Sequence, residues 1–318
     1  MDISNRPSVA VLMSAYNGEK YLREQVDSIL NQKDVDVRLF VRDDGSTDTT
    51  VDIIRGYMDA NPGKISLTTG ENLGPGRSFM ELLYNAPDTY DYYAFSDQDD
   101  VWLADKLIAG ITVLKARGKE LYVGNMMCID ENEKETGLRH YAPPRLSPYI
   151  AMGMNPTHGC TMVFTNKFYA LLVEERHRPD EILFTARYHD SWAMMVGNVL
   201  DVVTYDFGYH MLYRQHQNNE TTTVMEDDGI RERVRKSTKN LSRKIRQRSR
   251  RNGRSKIAHE IVRAFPEESA RFPYLAVYAE PRKLRNKIKL IQSYADYKKN
   301  GGAQSFLGFC LYVCLNLI

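Results

Sequence analysis

The sequence predicts an α/β fold in which a mostly parallel sheet is flanked by helices. Short apolar runs typical of buried strands alternate with segments whose apolar residues recur at helical spacing. This alternation favours right-handed strand–helix–strand units and therefore a parallel sheet. A second observation is that acidic turns follow two of the apolar runs, and ligands of such sheets bind beyond the carboxyl ends of the strands.

The first half of the chain supplies strand and helix patterns in strict alternation. The run V9-A-V-L-M13 predicts a strand that is buried on both faces, because it has no polar alternation. The segment 18–32 follows with apolar residues at helical spacing. We expect the next elements in this order: a strand at 37–41, a helix at 47–60, a strand at 64–68, a helix at 76–85, a strand at 92–95, a helix at 103–116 and a strand at 121–129.

The second half of the chain is less regular. Residues 131–157 are polar and contain four prolines, which predicts a loop or a mobile segment. We expect a strand at 158–164, a short helix at 190–200, and two closing strands at 201–206 and 208–213. Residues 1–225 carry 21 Lys+Arg against 32 Asp+Glu, whereas residues 226–318 carry 22 against 9. We therefore predict an acidic domain at 1–225 and a basic, mainly helical region at 226–318.

Composition excludes several classes of protein. The chain has 318 residues, of which 42% are hydrophobic and 26% are charged, so it is neither globally disordered nor fibrous. It has no uninterrupted run of 18 apolar residues, which excludes a polytopic membrane protein. The N-terminus does not resemble a secretory signal, and the four cysteines form no C-x-x-C pair. We expect a reducing, cytoplasmic setting.

The segment S96-D-Q-D-D100 places three carboxylates within four positions, directly after an apolar strand. Such crowding is unfavourable unless a cation lies among the acids or solvent screens them. Carboxylate oxygens at this spacing suit Mg²⁺ or Mn²⁺, and Mg²⁺ commonly shares its ligand shell with substrate phosphates. The alternative interpretation is a solvated acidic turn that caps the following helix.

A second acidic turn, D43-D-G-S-T-D48, follows the second predicted strand. A carboxylate here can accept a hydrogen bond from a pyrimidine ring N–H or from a ribose hydroxyl, and Gly45 allows a tight backbone turn. Taken alone, this segment is more typical of a helix N-cap.

Four segments, in this order and spacing, resemble the family 2 inverting glycosyltransferases: M13-S-A-Y-N17, D43-D-G-S46, G74-P-G-R77 and D97-Q-D-D100. The resemblance covers roughly residues 7–220 and implies the GT-A fold, a Rossmann-like sheet with a nucleotide-sugar site. It implies that base and ribose are held by Ser14, Tyr16 and Asp44, and that Arg77 lies by the nucleotide. It further implies that Asp99 is the firmer metal ligand and that Asp97 reaches the ribose or the metal.

Later motifs are similar to those of a bacterial rhamnosyltransferase branch, whose donor is dTDP-β-L-rhamnose. H189-D-S-W192 resembles the position whose Asp is the general base, here Asp190, with His in place of the common Glu. Y213-R-Q-H-Q-N-N219 resembles a closing motif in which Arg214 and His216 would face the diphosphate and the metal. T157-H-G-C160 matches a segment that lines the cleft, which makes Gly159 an acceptor candidate.

Each of these residues also has a structural interpretation. Asp190 could cap the helix that begins there, and His216 could be a surface histidine. Trp192 could stack on an acceptor sugar, but a tryptophan at helical spacing is more often part of the core.

The resemblance implies a metal-dependent, inverting enzyme that moves one sugar to a glycan or lipid-linked acceptor in bacterial surface polysaccharide synthesis. The Q-x-x-R-W element of the processive branch is absent, so single addition is expected. Two alternatives stay open: a UDP-hexose or UDP-N-acetylhexosamine transferase on the same scaffold, and an inactive module that binds a membrane or a polyanion. Intact Asp97, Asp99 and Asp190 argue against the inactive module.

The basic region suggests contact with an anionic surface. Residues 231–256 hold 13 basic residues and one acid, which fits either a solvated segment or attachment to anionic lipid. A nucleic-acid partner is not favoured, because aromatic residues are not interleaved with this run. Residues 305–318 are largely apolar but too few to span a bilayer, so they could form an interfacial helix, a docking helix or a homodimer contact. We expect peripheral attachment at the inner face of the cell membrane.

Overall fold

The computed structural model describes residues 6–153, 157–185, 188–216, 253–295 and 306–314. The chain divides into two compact units, one formed by residues 1–179 and 188–214 and the other by residues 180–187 and 215–318. The domain boundary expected between residues 225 and 226 lies outside the described residues, as does most of the basic run at 231–256.

The first unit alternates strands and helices, as the sequence predicts. Its elements are β1 (Ser8–Ala15), α1 (Leu22–Leu30), β2 (Asp36–Asp43), α2 (Thr50–Ala60), β3 (Ile65–Thr69), α3 (Pro75–Asn85), β4 (Tyr92–Ser96), β5 (Val101–Trp102), α4 (Lys106–Arg117), β6 (Leu121–Ile129), β7 (Glu135–Leu138), α5 (Pro148–Gly153), β8 (Met162–Thr165), α6 (Asn166–Val173), α7 (His189–Val199) and β9 (Val203–Arg214).

The strands form one mixed sheet in the order β3-β2-β1-β4-β8-β6-β9-β5, and β7 pairs with β6. Strands β1 to β4 are parallel to one another, and β6 is parallel to β9. Strand β8 is antiparallel to both β4 and β6, so it separates the two parallel groups. The predicted α/β class is confirmed, with a sheet that is more mixed than the alternation alone suggests.

Two local predictions differ from the structure. The segment 131–157, predicted as a loop, contains β7 and α5. The two closing strands expected at 201–206 and 208–213 are one strand, β9, whose register with β6 shifts between Asp206 and Tyr209. The irregularity takes up Phe207 and Gly208, and a bulge of this kind interrupts the apolar pattern without ending the strand.

The core lies on both faces of β1 and explains why these segments adopt their elements. Residues 9–13 are fully buried, as expected for a strand with helices on both sides. Helix α1 buries Leu22, Val26 and Ile29 on one stripe against the sheet. Each fully buried aliphatic side chain contributes roughly 1.5–3 kcal/mol relative to its exposed state. This packing holds the carboxyl ends of β1, β2 and β4 in place at one edge of the sheet.

The second unit is mainly helical in its described parts, which confirms the predicted character of the C-terminal region. Its helices are α8 (Gly253–Ala264), α9 (Pro266–Ser269), α10 (Pro273–Ala279), α11 (Leu284–Gln292) and α12 (Phe306–Cys314). Every described helix of the chain is too short or too polar to cross a membrane.

Candidate active site

The acidic turns lie next to each other at the carboxyl edge of the parallel strands. Ala15 at the end of β1 pairs with Asp43 at the end of β2, and Met13 pairs with Ser96 at the end of β4. The loops that follow β1, β2 and β4 therefore leave the sheet side by side. This is the edge at which sheets of this type bind ligands.

Hydrogen bonds join the loop after β1 to the loop after β2. The backbone N–H of Asn17 donates to Ser46 Oγ at 2.9 Å, and Thr47 N–H donates to Asn17 Oδ1 at 2.8 Å. Asn17 adopts a left-handed conformation with φ 48°, which asparagine tolerates better than most residues. These hydrogen bonds hold the backbone next to Tyr16, a residue that is 47% exposed at the sheet edge.

Gln98, which the sequence analysis did not select, ties the loop after β4 to the loop after β1. Its Oε1 accepts from Tyr16 N–H at 2.9 Å and its Nε2 donates to Tyr16 C=O at 2.9 Å. A Cβ at Gly18 would overlap with Gln98 Oε1, so glycine permits this close approach. The amide therefore fixes the distance between two predicted nucleotide-sugar contacts, Tyr16 and Asp97.

Asp44 and Ser14 belong to one buried polar network. Asp44 pairs with the Arg42 guanidinium and accepts from the backbone N–H groups of Leu73 at 2.8 Å and Gly74 at 2.9 Å. Arg42 also donates to Ser78 Oγ at 2.9 Å, and Ser78 Oγ lies 2.6 Å from Ser14 Oγ. Asp44 thus binds the backbone of the loop that leads into α3. Arg77 lies in the first turn of α3 and is partly buried. Opposite charge and hydrogen bonds offset the cost of burying this pair.

The acidic segment after β4 contains a group of donor atoms that could hold a cation. One ligand atom each from Asp97, Asp100 and Cys160 lie within 4.8 Å of one another. Burial, with the nearby charge of Asp99, raises the pKa of Asp97 to about 7. The same two causes raise the pKa of Asp100 well above its usual range. Within the described residues, the buried Oδ2 of Asp100 has no hydrogen-bond partner.

These properties fit a divalent cation. Carboxylates that burial and a neighbouring like charge keep protonated up to neutral pH become good oxygen ligands when a cation is present. The firmer ligand expected from the sequence, Asp99, is not one of the three grouped residues, although its charge acts on both neighbouring carboxylates. Cys160, which the sequence analysis did not name as a ligand, lies with them, and burial raises its thiol pKa well above the usual value.

Lys106 is a buried basic residue next to this acidic segment. Its side chain is almost fully buried, and its Nζ lies 3.6 Å from the centroid of the Trp102 ring. Burial lowers its pKa to about 7, while the charges of Cys160 and Asp100 act in the opposite direction. The sequence carries a signal for this burial, because Lys106 shares the α4 stripe of Leu107, Gly110 and Ile111.

Arg214, expected to face the diphosphate, is 1% exposed. Its guanidinium pairs with Glu24 and stacks over the Tyr21 ring at 4.6 Å. Its Nε donates to the carbonyl of Asp99 at 3.1 Å, and its backbone N–H donates to Asp100 Oδ1 at 3.2 Å. The structure therefore places Arg214 directly behind the acidic segment, where it contacts the backbone of Asp99 and the side chain of Asp100.

Asp190 lies in the first turn of α7 and close to the acidic segment. Its charge contributes to the raised pKa of Asp97, after burial and Asp99. Gly159 packs against the same turn: a Cβ there would lie 3.4 Å from Asp190 Cβ and 2.5 Å from His189 Nε2. Gly159 thus lies against the predicted base and Cys160 against two of the acids, while an acceptor contact at Gly159 stays a prediction.

His189 is a packing residue. Its ring stacks on Phe79 with centroids 3.9 Å apart and meets the edge of Phe95 at 4.6 Å. Burial lowers its pKa to about 3, so the imidazole is neutral at physiological pH. The residue before Asp190 is therefore an uncharged ring that packs the first turn of α7 against Phe79 and Phe95.

One acceptor prediction is wrong in this structure. Trp192 is 1% exposed, so neither face of its ring is open to a sugar, and the alternative interpretation as a core residue holds. His216 belongs to the second unit, and its assignment as a metal ligand stays a prediction.

Comparison with known proteins identifies the family. A family model described as Glycosyl transferase family 2 matches residues 10–172, just over half of the chain. The chain belongs to this family. It is accordingly a glycosyltransferase, and residues 10–172 include the acidic turns after β2 and β4 but not Asp190.

Individual relatives agree with this membership. The chain is 30% identical over 216 residues to the dTDP-rhamnosyl transferase RfbG of Shigella flexneri, a match that covers 65% of this chain and 73% of the relative. It is 30% identical over 101 residues to the minor teichoic acid biosynthesis protein GgaA of Bacillus subtilis (strain 168), covering 31% of this chain and 23% of that protein. Among solved structures, S. aureus TarS 1–349 in complex with UDP-GlcNAc matches with a TM-score of 0.55 at 14% identity, covering 97% and 92% of the two chains. The last match shows the GT-A fold.

Proposed function

We propose that this enzyme transfers one L-rhamnose from dTDP-β-L-rhamnose, with inversion, to a glycan or lipid-linked acceptor in the synthesis of a bacterial surface polysaccharide. The observation that carries the proposal is the approach of Asp190 to the acidic segment after β4, across Gly159 and Cys160. A base on one side of a cleft and a cation-binding group on the other are the two devices that an inverting transfer needs.

Asp190 acts as the general base. Its carboxylate takes the proton of the acceptor hydroxyl while that oxygen attacks the anomeric carbon and the bond to the nucleoside diphosphate breaks. The neutral His189 beside it adds no positive charge that would weaken the base. A positioned base of this kind typically contributes about 10²- to 10⁴-fold in rate.

The opposite side of the cleft binds the donor. Asp97, Asp99 and Asp100 would hold Mg²⁺ or Mn²⁺. When bound, the cation would act as a Lewis acid that neutralises charge on the leaving diphosphate. Arg214 contributes by holding Asp99 and Asp100 through their backbone and side chain.

The nucleoside contacts the loops after β1 and β2. Tyr16 offers an exposed ring for the base, and Ser14 and Asp44 offer polar atoms within one network for base and ribose. Arg77 lies in the first turn of α3, where backbone N–H groups and the helix dipole also favour phosphate. The choice of dTDP-rhamnose rests on the name of the Shigella relative together with the motifs that end in Tyr213–Asn219.

The acceptor and the cellular setting follow from the pathway class. The teichoic acid name of the Bacillus relative and the rhamnosyl name of the Shigella relative both support a cell-envelope polymer. Acceptors of that class are often lipid-linked, so the enzyme would work in the cytoplasm, peripheral on the inner face of the membrane.

Nucleotide release tests this proposal. The purified full-length chain is given dTDP- and UDP-sugars one at a time, with Mg²⁺, with Mn²⁺ and with chelator. We expect metal-dependent release from dTDP-rhamnose above all other donors. Preference for UDP-hexose or UDP-N-acetylhexosamine would refute the donor while leaving the reaction class intact, and undiminished release with chelator would refute the metal. No release together with no donor binding in calorimetry would contradict the enzyme proposal.

A further inference from the structure

Helices α11 and α12 of the second unit expose large apolar side chains. Leu284 and Ile288 on α11 are 74% and 49% exposed, and Phe306 and Leu307 on α12 are 49% and 75% exposed. These four residues, which we call the apolar face, are half of the large hydrophobic residues exposed in the described parts of the chain. Scattered exposed leucines need no explanation, but a concentration in two neighbouring short helices indicates an interaction surface.

The two helices lie side by side. Lys287 Nζ on α11 donates to the carbonyl of Cys314 at the end of α12 at 3.1 Å. The ring of Phe306 meets the edge of the Tyr294 ring with centroids 5.1 Å apart. Leu290 on α11 and Val313 on α12 are each 1% exposed, so each helix buries one side and presents another. The exposed residues Leu284 and Ile288 are one turn apart on the same stripe of α11.

A rim of basic residues surrounds this apolar stripe. Residues 282–292 contain five Lys or Arg and no acid: Arg282, Lys283, Arg285, Lys287 and Lys289. At helical spacing, Arg285 and Lys289 fall on one flank of the Leu284–Ile288 stripe and Lys287 falls on the other. Next to the rim, Lys256, Arg282 and Lys283 line a pocket together with Glu280, which pairs with Lys283 at 2.7 Å.

We propose that the apolar face and its basic rim dock on an anionic lipid bilayer, with α11 and α12 lying in the plane of the interface. An apolar stripe flanked by Lys and Arg is the pattern of helices that bury one side at the headgroup boundary and keep their charges at the phosphates. Helix α12 has nine residues, which span only about 14 Å at 1.5 Å per residue, so it lies at the surface and does not cross.

Charge selects the bilayer over a second copy of this chain. Two copies that meet through this face would bring two basic rims together with ten cationic side chains in all, and in each copy Glu280 offsets one of the five by pairing with Lys283. Like charges across an interface oppose association, whereas each Lys or Arg near an anionic lipid surface is favourable. The inference rests on the proposed function only in that a lipid-linked acceptor gives the docking a purpose.

Vesicle flotation of the full-length chain tests the surface, with phosphatidylcholine vesicles and with vesicles of phosphatidylcholine and phosphatidylglycerol. The apolar variant carries Leu284→Gln and Ile288→Gln, and the charge variant carries Arg282→Gln, Arg285→Gln and Lys289→Gln. Matched controls remove exposed residues of the first unit: Tyr141→Gln with Phe207→Gln, and Lys33→Gln with Lys115→Gln and Lys134→Gln. All changes lie at exposed positions, and circular dichroism checks that each variant folds.

We expect the wild type to float with the phosphatidylglycerol vesicles and to dissociate as salt is raised. The charge variant should bind about 100-fold more weakly, since each basic residue near such a surface contributes roughly fivefold. The apolar variant should lose at least tenfold, and both controls should bind like the wild type. Equal binding to both vesicle types, or wild-type binding by both variants, would overturn the proposal.

Two further outcomes separate this inference from others. A wild-type dimer in solution that the apolar variant converts to a monomer, with no vesicle binding, would assign the face to a second copy and contradict our proposal. Nucleotide release in the absence of vesicles should be the same in wild type and both variants. Flotation without nucleotide release would contradict the proposed function but would still support the docking surface.

Discussion

Gly159 is the position at which a single methyl group should disturb the proposed base most selectively. A Cβ added there would lie 2.5 Å from His189 Nε2 and 3.2 Å from His189 Cε1, whereas ordinary contacts begin near 3.4 Å. The His189 ring cannot swing away, because Phe79 stacks on it at 3.9 Å and Phe95 meets it at 4.6 Å. The first turn of α7, with Asp190, must therefore move by about 1 Å.

We expect Gly159→Ala to lower the turnover number by about 100-fold, the typical effect of a 1 Å misplacement of a catalytic group. Overpacking should lower the free energy of unfolding by about 1–3 kcal/mol. Nucleotide release measures the first effect and urea unfolding the second. Gly56→Ala is the matched control, because nothing lies within 4 Å of a Cβ at that position in α2. It should stabilise the chain by about 0.5–1 kcal/mol and leave turnover unchanged. Turnover of Gly159→Ala within twofold of the wild type would refute the reasoning.

Three other changes test two residues of the site and one residue of the core. Gln98→Ala removes both hydrogen bonds to the Tyr16 backbone, so the KM for the donor should rise severalfold; an unchanged KM would exclude a positioning role for this amide. Without metal, the free energy of unfolding of the wild type should fall relative to that of Asp97→Asn as the pH rises from about 4 to about 7. The reason is that the Asp97 carboxyl keeps its proton up to a pKa of about 7 in the folded chain but releases it near 3.8 in the unfolded chain. A difference in stability between the two proteins that does not change with pH would contradict this. Trp192→Ala should cost about 3–5 kcal/mol in urea unfolding, and a cost below 1 kcal/mol would contradict the burial of this ring.

The sequence predicts the parallel half of the sheet well, for a physical reason. Strands β1 to β4 and their helices are each predicted by the local pattern of apolar residues. Right-handed crossovers between parallel strands then place the carboxyl ends of these strands at one edge of the sheet. The position of β8 is different, because its four residues carry no signal for an antiparallel place between β4 and β6. The short strand β5 is likewise set by a partner distant in the sequence, since Val101 pairs with Leu212 of β9, whereas β7 pairs with the preceding strand β6.

The residues of the candidate site likewise divide into those that the sequence predicts and those that it does not. The acidic turns were found because their residues are contiguous, and the structure brings Asp97, Asp100 and Asp190 to one edge. Cys160 and Gln98 were missed as site residues, because their contacts join segments far apart in sequence, as between Gln98 and Tyr16. Trp192 was considered as a sugar platform because a motif gives the residue type but not the direction of the side chain. Burial at that position depends on how α7 packs.

The central claim is that Asp190 removes a proton opposite a donor held at the acidic segment. The measurement that tests it most directly compares wild type with Asp190→Asn in two assays on the same samples: release of dTDP from dTDP-rhamnose, and binding of dTDP-rhamnose by calorimetry. We expect release to fall by at least 100-fold while the dissociation constant changes less than twofold. Release close to the wild-type rate, or a loss of binding that matches the loss of release, would contradict the assignment.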